Sequence, residues 1–412
     1  MEPPVTVSST NLQRFKGLCF TTLIIISSFL GTIYVLIPLT PLAYLNPKLF
    51  RLIVDFLIGY WLVLPTSLVE WLFGVRIQVL GDGIDPKRPS LIIMNHRTCL
   101  DWLFFWCALW RIEPSLITTE KIVLKGEVKY LPGAGWAMAY NAFLLLDRNF
   151  LTDKARIETF VEYYARMDRK YHLLLFPEGT DKCPRATERS NKKCVDYIYD
   201  VTVGYGDQIV QSETDLVLRG MCPKDVHYLI QQIPDSSLPK VDEQLEKWLK
   251  DKWTKKEKCV DYIYDVTVGY GDQIVQSETD LVLRGMCPKD VHYLIQQIPD
   301  SSLPKDDEQL EKWLKDKWAK KEKILHNFYK EKGFRRQNGW SSQFKNFQLT
   351  PKLKLLQIAV VCIWLAATYF WLYLFVSLNH QIWYSLIALV SIVGLQIYYN
   401  GFEMFLARLS IR

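Results

Sequence analysis

Two long stretches of the chain contain no charged side chain, and they lie near its two ends. The first covers residues 17–47 and the second covers residues 355–402. A helix of about 20 apolar residues can cross the hydrocarbon core of a bilayer. Both ends are therefore predicted to enter a membrane. The second stretch divides at residues 379–381 into two halves, each long enough to span, and this polar break predicts a hairpin.

A shorter apolar segment at residues 56–69 follows the first stretch. It is flanked by Asp55 and Glu70 and contains Pro65. A segment of about 14 residues is too short to cross a bilayer. We therefore expect it to be re-entrant or interfacial, with a buried core helix as the alternative.

Between the membrane segments, short apolar runs alternate with polar ones. Residues 91–94, 143–146 and 173–176 each read as a short buried strand. Each of them ends in polar or charged residues. This pattern predicts an α/β domain in the middle of the chain, since ligands in such folds bind where strand ends converge.

The middle of the chain also contains a tandem repeat. Residues 194–258 recur as residues 259–323 with two differences, Val241 against Asp306 and Thr254 against Ala319. Solenoids need about three or more copies, with modified end copies. The repeat therefore indicates a recent duplication, two similar exons joined, or an error in the gene model. Only the second copy leads into Ile324, so we expect one copy to be surplus to the fold.

Each copy contains the string Thr-Val-Gly-Tyr-Gly-Asp, at residues 202–207 and 267–272. This string resembles a potassium-channel filter, but such a filter requires a spanning helix after it. The residues that follow are too polar to span. A strand at residues 197–203 that ends in a glycine turn is the better interpretation.

The charge of the chain supports a membrane location for the polar domain. The net charge is +6, and Lys and Arg concentrate in the middle of the chain. This fits a domain on the cytoplasmic side of a membrane, by the positive-inside rule and the attraction of anionic lipid. No compact basic block predicts a nucleic-acid partner. The Cys and His residues do not have a spacing that is typical of a metal site either.

The first strand end carries the strongest candidate chemistry. His96 follows the strand at residues 91–94, and Asp101 lies five residues further on, before an apolar helix-like run. Five residues of a regular helix turn the side chains roughly 140° apart. The two can meet only if His96 lies in the turn and Asp101 in the first turns of the helix. Such a pair gives a base and an orienting carboxylate; a helix cap is the alternative.

The other two strand ends add a cation and an acid. Arg148 follows the strand at residues 143–146, and Glu178, Gly179 and Thr180 follow the strand at residues 173–176. Strand ends on one edge of an α/β sheet form ligand sites. Together with His96, they predict a site for a phosphorylated substrate.

The three motifs together carry a family resemblance. Asn-His-x₄-Asp at residues 95–101, Leu-Asp-Arg at residues 146–148 and Phe-Pro-Glu-Gly-Thr at residues 176–180 occur in this order. They resemble the glycerol-phosphate and lysophospholipid acyltransferase family (1-acylglycerol-3-phosphate acyltransferase-like). The similarity is closest to the branch with lysocardiolipin and lysophosphatidylinositol acyltransferases. It covers residues 1 to about 192, one repeat copy and the C-terminal hairpin.

The resemblance implies a fold and a reaction. The fold is an α/β, acyltransferase-type mixed sheet with helices, flanked by N-terminal and C-terminal transmembrane or membrane-embedded helices. The reaction is acyl transfer from acyl-CoA, a co-substrate, to a free hydroxyl of a lysophospholipid. It implies neither a cofactor nor a metal. It also implies an endoplasmic reticulum membrane protein with several spans and a cytosolic catalytic domain.

The resemblance also implies residue roles. His96 is the general base and Asp101 orients it. Arg148 binds the acceptor phosphate, while Glu178, Gly179 and Thr180 shape the acceptor pocket. Lys125 is a further candidate for the anion site, with an ordinary exposed lysine as the alternative.

One motif of the family has no counterpart in this chain. A strand-and-proline motif is expected between the Glu-Gly turn and residues 201–203, but residues 189–193 run straight into the first repeat copy. We expect the sheet to lose a strand and the pocket a wall. A catalytically inactive lipid-binding homologue is therefore one alternative, and a CoA-independent phospholipid transacylase is another.

These patterns divide the chain into six parts. They are residues 1–75 (N-terminal membrane segments), 76–193 (catalytic core), 194–258 and 259–323 (repeat copies), 324–354 (linker) and 355–412 (C-terminal hairpin and tail).

Overall fold

The computed structural model describes residues 10–98, 100–147, 150–177, 198–205, 226–233, 262–272, 275, 278–298, 307–331, 333–334 and 345–411. Its strands are β1 (Arg76–Gly81), β2 (Ser90–Met94), β3 (Glu120–Lys125), β4 (Leu144–Leu146), β5 (His172–Leu175), β6 (Ile198–Tyr205), β7 (Val226–Ile233), β8 (Tyr262–Tyr270), β9 (Asp290–Ile298) and β10 (Lys345–Phe347).

Eight of these strands form one mixed sheet in the order β10-β1-β9-β8-β2-β5-β3-β4. The five strands β8, β2, β5, β3 and β4 run parallel to one another. The strand β9 is antiparallel to β8, and β10 is antiparallel to β1. Central strands buried on both faces are rich in apolar residues. The predicted mixed α/β sheet is confirmed, and its three predicted strands are β2, β4 and β5.

The helices are α1 (Asn11–Gly31), α2 (Ile37–Leu45), α3 (Pro47–Leu72), α4 (Asp101–Ile112), α5 (Leu116–Thr119), α6 (Ala134–Tyr140), α7 (Phe150–Arg166), α8 (Glu278–Val282), α9 (Asp307–Glu331), α10 (Pro351–Ser377), α11 (Asn379–Tyr399) and α12 (Phe402–Ile411). Side chains cap the long apolar helices at their first turns. Thr10 forms a capping box with Gln13 at α1. The side chain of Asn46 accepts a hydrogen bond from a backbone N–H of α3, and that of Thr350 accepts one from a backbone N–H of α10.

In the part of the chain that the structure describes, four helical segments are long and apolar enough to cross a membrane. They are residues 11–45, α3, α10 and residues 380–399 of α11. The predicted C-terminal hairpin is present, with its break at Leu378. Residues 379–381 begin the second helix instead of forming the turn. The four apolar segments and the large apolar side chains exposed on them indicate that the protein is associated with a membrane.

The expectation for residues 56–69 is wrong in length. These residues belong to α3, which has 26 residues and is 61% buried over its most apolar window. The charges at Arg51 and Asp55 do not end the helix, because they pair with each other inside the protein. Asp55 also pairs with Lys121 of β3. A sequence window cannot find this distant partner.

The two repeat copies occupy different places. Strands β8 and β9 of the second copy lie in the eight-stranded sheet, while β6 and β7 of the first copy pair only with each other among the described strands. The two hairpins have the same register, with Ile198 opposite Ile233 and Ile263 opposite Ile298. Among the described strands, the eight-stranded sheet therefore contains one repeat copy, as expected. The sheet also joins strands from before and after residue 193, where a boundary between two parts of the chain was expected.

The strand expected at residues 197–203 and its counterpart is present as β6 and β8, and each ends two residues later than expected, at Tyr205 and Tyr270. In the second copy a bend at Gly271 and Asp272 follows the strand. Strand β8 continues through Gly269 to Tyr270, with β2 and β9 on its two sides. A Cβ atom at Gly269 would lie 2.7 Å from the ring of Phe328. Glycine is therefore required here because an aromatic ring packs on the strand. The carbonyls serve a sheet rather than an ion filter.

The motif absent from the sequence would fall at residues 178–197, which lie outside the described residues. In the described part, β8 pairs directly with β2, and β2 pairs with β5. The sheet is thus continuous around the strand end that carries His96.

Candidate active site

His96 and Asp101 meet at the carboxyl end of β2. His96 lies in the loop after this strand, and Asp101 is the first residue of α4. The Nδ1 atom of His96 lies 2.9 Å from Oδ2 of Asp101. This is the arrangement that the five-residue spacing required. Asp101 is completely buried, whereas the His96 side chain is 17% exposed, so the pair opens to the outside through the histidine.

Asp101 accepts hydrogen bonds at both carboxylate oxygens. The backbone N–H groups of Arg97 and Thr98 donate to Oδ2, at 2.6 and 3.0 Å. The hydroxyl of Tyr270 donates to Oδ1. Donors on an anion stabilise its charged form. These contacts hold the Asp101 carboxylate in one orientation and keep it an acceptor for His96.

The His96 ring is also held from the side. Phe176, which follows β5, stacks on it with ring centroids 4.3 Å apart and an angle of 30° between the planes. The neighbouring Asn95 is buried, and its amide bonds to both the N–H and the carbonyl of Val268 on β8. The loop is therefore fixed to the strands on both sides of β2.

Tyr270 comes from the second repeat copy and lies at the end of β8. Burial, and after it the charge of Asp101, raises the pKa of Tyr270 well above its usual value. The hydroxyl therefore stays protonated and can donate at any physiological pH. The hydroxyl of Tyr293 on β9 donates to the backbone carbonyl of Asp101 at 3.3 Å, so the hairpin contacts this residue twice.

The other candidate site residues are placed less completely. Arg148, Glu178, Gly179 and Thr180 lie outside the described residues. Lys125 ends β3, 45% exposed, and pairs with Glu127 at 2.5 Å. Its backbone lies opposite Leu146, the first residue of the Leu-Asp-Arg motif. Because β3 is two strands from β2, Lys125 lies about 10 Å from the His96 strand.

Asp147, the residue before Arg148, joins the catalytic domain to the C-terminal tail. It pairs with Lys129 at 3.0 Å and with Arg156 at 3.1 Å. Arg156 also contacts Glu403 of α12 and the carbonyl of Asn400. Both cations are nearly fully buried. The end of β4 at Asp147 is thus linked through Arg156 to the segment that follows the membrane hairpin.

The sequence did not identify Tyr270 or Phe176 as site residues. Phe176 lay within a noted motif, but its stacking on His96 depends on the pairing of β5 with β2. Tyr270 lay in a repeated string, and repetition gave no indication of which copy enters the sheet. Pairing across 169 residues decides the contact with Asp101.

The geometry suits proton abstraction by His96. With Nδ1–H donating to the Asp101 carboxylate, the other ring nitrogen, Nε2, carries the lone pair. Asp101 then fixes this tautomer and stabilises the imidazolium that forms when Nε2 takes a proton. Among the described residues, no group of three His, Cys, Asp or Glu side chains is arranged to hold a metal.

Comparison with family models decides the family. The model described as Acyltransferase matches residues 76–205, and the one described as Acyltransferase C-terminus matches residues 216–270 and 281–364. Together they cover more than half of the 412 residues. The chain belongs to the acyltransferase family. The first match contains His96, Asp101 and the two other motifs, and the second contains Tyr270.

Named relatives agree with this family. The acyltransferase is 37% identical to lysophosphatidylinositol acyltransferase 10 of Caenorhabditis elegans, over 78% of this chain and 72% of that protein. It is 32% identical to lysocardiolipin acyltransferase 1 of Mus musculus, over 95% and 94%. It is 28% identical to probable 1-acyl-sn-glycerol-3-phosphate acyltransferase 5 of Arabidopsis thaliana, over 52% and 64%. The predicted family and branch are confirmed, and the acyltransferase is an enzyme of lipid metabolism.

Among solved structures, the LPA acyltransferase PlsC of Thermotoga maritima is similar. It aligns with a TM-score of 0.39 and 12% identity, over 79% of this chain and 100% of that one. This similarity is too low to support an argument about the site.

Proposed function

We propose that this acyltransferase transfers an acyl group from acyl-CoA to the free glycerol hydroxyl of a lysophospholipid, with His96 as general base. The observation that carries the proposal is the His96–Asp101 contact of 2.9 Å at the end of a central strand. A buried, fully hydrogen-bonded carboxylate behind a partly exposed imidazole is suited to general base catalysis.

The residues supply each proton movement of this reaction. Nε2 of His96 removes the proton of the acceptor hydroxyl as its oxygen attacks the thioester carbonyl carbon. The new C–O bond forms, the C–S bond breaks, and the imidazolium returns the proton to the departing CoA thiolate. Asp101 stays charged and stabilises the imidazolium throughout. The mechanism requires neither a metal nor an acyl-enzyme.

The acceptor phosphate is proposed to bind at the other strand ends. Arg148 would pair with the phosphate, since a guanidinium binds phosphate oxygens in a bidentate manner. Glu178, Gly179 and Thr180 would shape the acceptor pocket, and Lys125 would add positive charge beside the Leu-Asp-Arg turn. The fixed position of Asp147 supports this role, because Lys129 and Arg156 hold the residue next to Arg148.

The acceptor head group is proposed from the named relatives. Lysophosphatidylinositol and lysocardiolipin are the first candidates, because the relatives with those names are 37% and 32% identical to this chain. Lysophosphatidic acid is the third candidate, from the more distant plant proteins. All three acceptors carry a phosphate beside the free glycerol hydroxyl.

The donor and the acceptor are tested by acyl transfer on membranes that contain the chain. Labelled oleoyl-CoA is offered with lysophosphatidylinositol, lysocardiolipin, lysophosphatidic acid and lysophosphatidylcholine, and membranes with His96→Ala serve as the blank. We expect transfer to at least one anionic acceptor above this blank. Turnover only from a phospholipid donor, without added acyl-CoA, would identify a transacylase. Activity equal to the blank for every pair would indicate an inactive homologue.

We propose that the protein crosses the endoplasmic reticulum membrane several times, with both ends and the catalytic domain in the cytosol. Two contacts support this topology, because they place the start of α1 and the segment after the C-terminal hairpin next to the catalytic domain. An even number of membrane crossings then separates each end of the chain from that domain. Gly17 of α1 packs against the backbone of Leu281, and Glu403 pairs with Arg156 after the C-terminal hairpin. We expect protease added to sealed microsomes to remove a C-terminal tag without detergent. Protection of the tag until detergent is added would contradict this topology.

A further inference from the structure

Of the two tyrosines of the duplicated segment that contact Asp101, Tyr270 is the one that reaches its carboxylate. Tyr270 is buried at the end of β8, and its hydroxyl donates to Oδ1 of Asp101. The other donors to this carboxylate in the described part of the chain are His96, Arg97 and Thr98, and these use Oδ2. Among the described residues, Tyr270 is therefore the contact that holds the second oxygen.

Several contacts hold the Tyr270 ring itself. The ring of Phe104 on α4 packs on it edge to face at 6.1 Å. The ring of Phe328 from α9 packs against the backbone of the preceding residue, Gly269, where a side chain would otherwise lie. On β8, Val268 is fixed to Asn95 by two hydrogen bonds. The hydroxyl is thus placed by a helix, a strand and the loop that also carries His96.

We propose that Tyr270 is a positioning residue of the acyl transfer reaction, and that the second repeat copy completes the active site through it. The inference rests on the proposed function of His96 and Asp101. With Oδ1 held by Tyr270, the carboxylate cannot rotate about its Cβ–Cγ bond, so Oδ2 stays directed at His96 Nδ1. The same bond draws charge toward Oδ1 and limits how strongly the carboxylate favours the imidazolium.

The identity of the two copies provides a matched control. Tyr205 of β6 is the counterpart of Tyr270, and its neighbours in the strand are identical. Deleting one copy or the other would give chains that differ only at the two positions where the copies differ. Deletions therefore cannot tell the copies apart, whereas single substitutions can.

The test compares Tyr270→Phe with Tyr205→Phe. Phenylalanine keeps the ring and removes one hydroxyl, so we expect kcat to fall about 10- to 100-fold, the equivalent of one hydrogen bond to a charged group. The KM for the acceptor should change less than about threefold, since the Tyr270 side chain is buried. The acid limb of the pH–rate profile should move to higher pH, because the freed carboxylate favours the imidazolium more. Tyr205→Phe should match the wild type in all three.

A double-mutant cycle separates positioning from a general structural role. If Tyr270 acts through Asp101, adding Tyr270→Phe to Asp101→Asn should reduce kcat no further. Full additivity would overturn the proposal, as would equal losses in Tyr205→Phe and Tyr270→Phe. Loss of cooperative unfolding in Tyr270→Phe would also overturn it, since the hydroxyl would then serve the fold. No turnover in the wild type would instead refute the proposed function itself.

Discussion

Replacing Asp101 by asparagine is expected to lower kcat by roughly 10³- to 10⁴-fold. The asparagine oxygen takes the place of Oδ2, because the N–H groups of Arg97 and Thr98 donate there. The neutral amide then no longer stabilises the imidazolium that forms when Nε2 takes the proton of the acceptor hydroxyl. The KM values should change little, because the Asp101 side chain is completely buried behind His96. Acyl transfer from labelled oleoyl-CoA at saturating acceptor measures the effect.

Asp168→Asn is the matched control for this substitution. Asp168 is exposed and pairs only loosely with Lys48, at 3.7 Å. Its backbone has a φ of 57°, which asparagine tolerates. We expect wild-type activity from this variant. A fall of less than about threefold in Asp101→Asn would show that the charge of Asp101 does not support catalysis by His96.

The second large effect concerns stability. Asp55 on α3 is completely buried and pairs with Arg51 at 2.8 Å, Lys121 at 2.9 Å and Arg169 at 3.1 Å. Tyr171 donates a further hydrogen bond to it. Asp55→Ala removes the carboxylate and leaves three cations without it, which typically costs about 3–5 kcal/mol. We expect the thermal midpoint of the detergent-purified protein to fall by roughly 5 °C or more.

The loss should depend on pH. Burial lowers the pKa of Lys121 to about 8, against the opposing charge of Asp55. Without Asp55, this ammonium can escape its unfavourable position by releasing its proton, which costs less at high pH. The deficit of Asp55→Ala should therefore be smaller at pH 9 than at pH 7. Arg51 and Arg169 stay charged at both values, so part of the loss should remain.

An exposed ion pair provides the control for this experiment. Glu162 pairs with Arg166 at 2.6 Å, but both side chains are about half exposed. Exposed pairs contribute about 0–1 kcal/mol, so Glu162→Ala should leave the midpoint nearly unchanged. Equal midpoints for Asp55→Ala and the wild type would mean that the buried cluster contributes nothing to the fold.

The sequence predicted the features that depend on local pattern. The strand before His96, the helix that begins at Asp101 and the need for a turn between them follow from apolar runs and a five-residue spacing. The apolar helices near the two ends follow from the absence of charge over a sufficient length. In these cases the information lies within a few turns of chain.

Features that depend on distant partners could not be predicted in this way. The full length of α3 was missed because Asp55 looked like a helix boundary, whereas Lys121, 66 residues away, pairs with it. Tyr270 was missed because two identical strings competed for one place in the sheet. Continuity with Ile324 favours the second copy, since the helix α9 continues to Phe328, which packs on Gly269.

The most direct test of the account is acyl transfer from labelled oleoyl-CoA by the wild type beside His96→Ala, with the exposed His326→Ala as control. The acceptor is the one selected by the lysophospholipid panel, and each rate is normalised to folded protein. With His96 as the general base, the wild type and His326→Ala transfer the acyl group, and the rate of His96→Ala stays at the level of the membrane blank. Transfer by His96→Ala at the wild-type rate would exclude this role of His96.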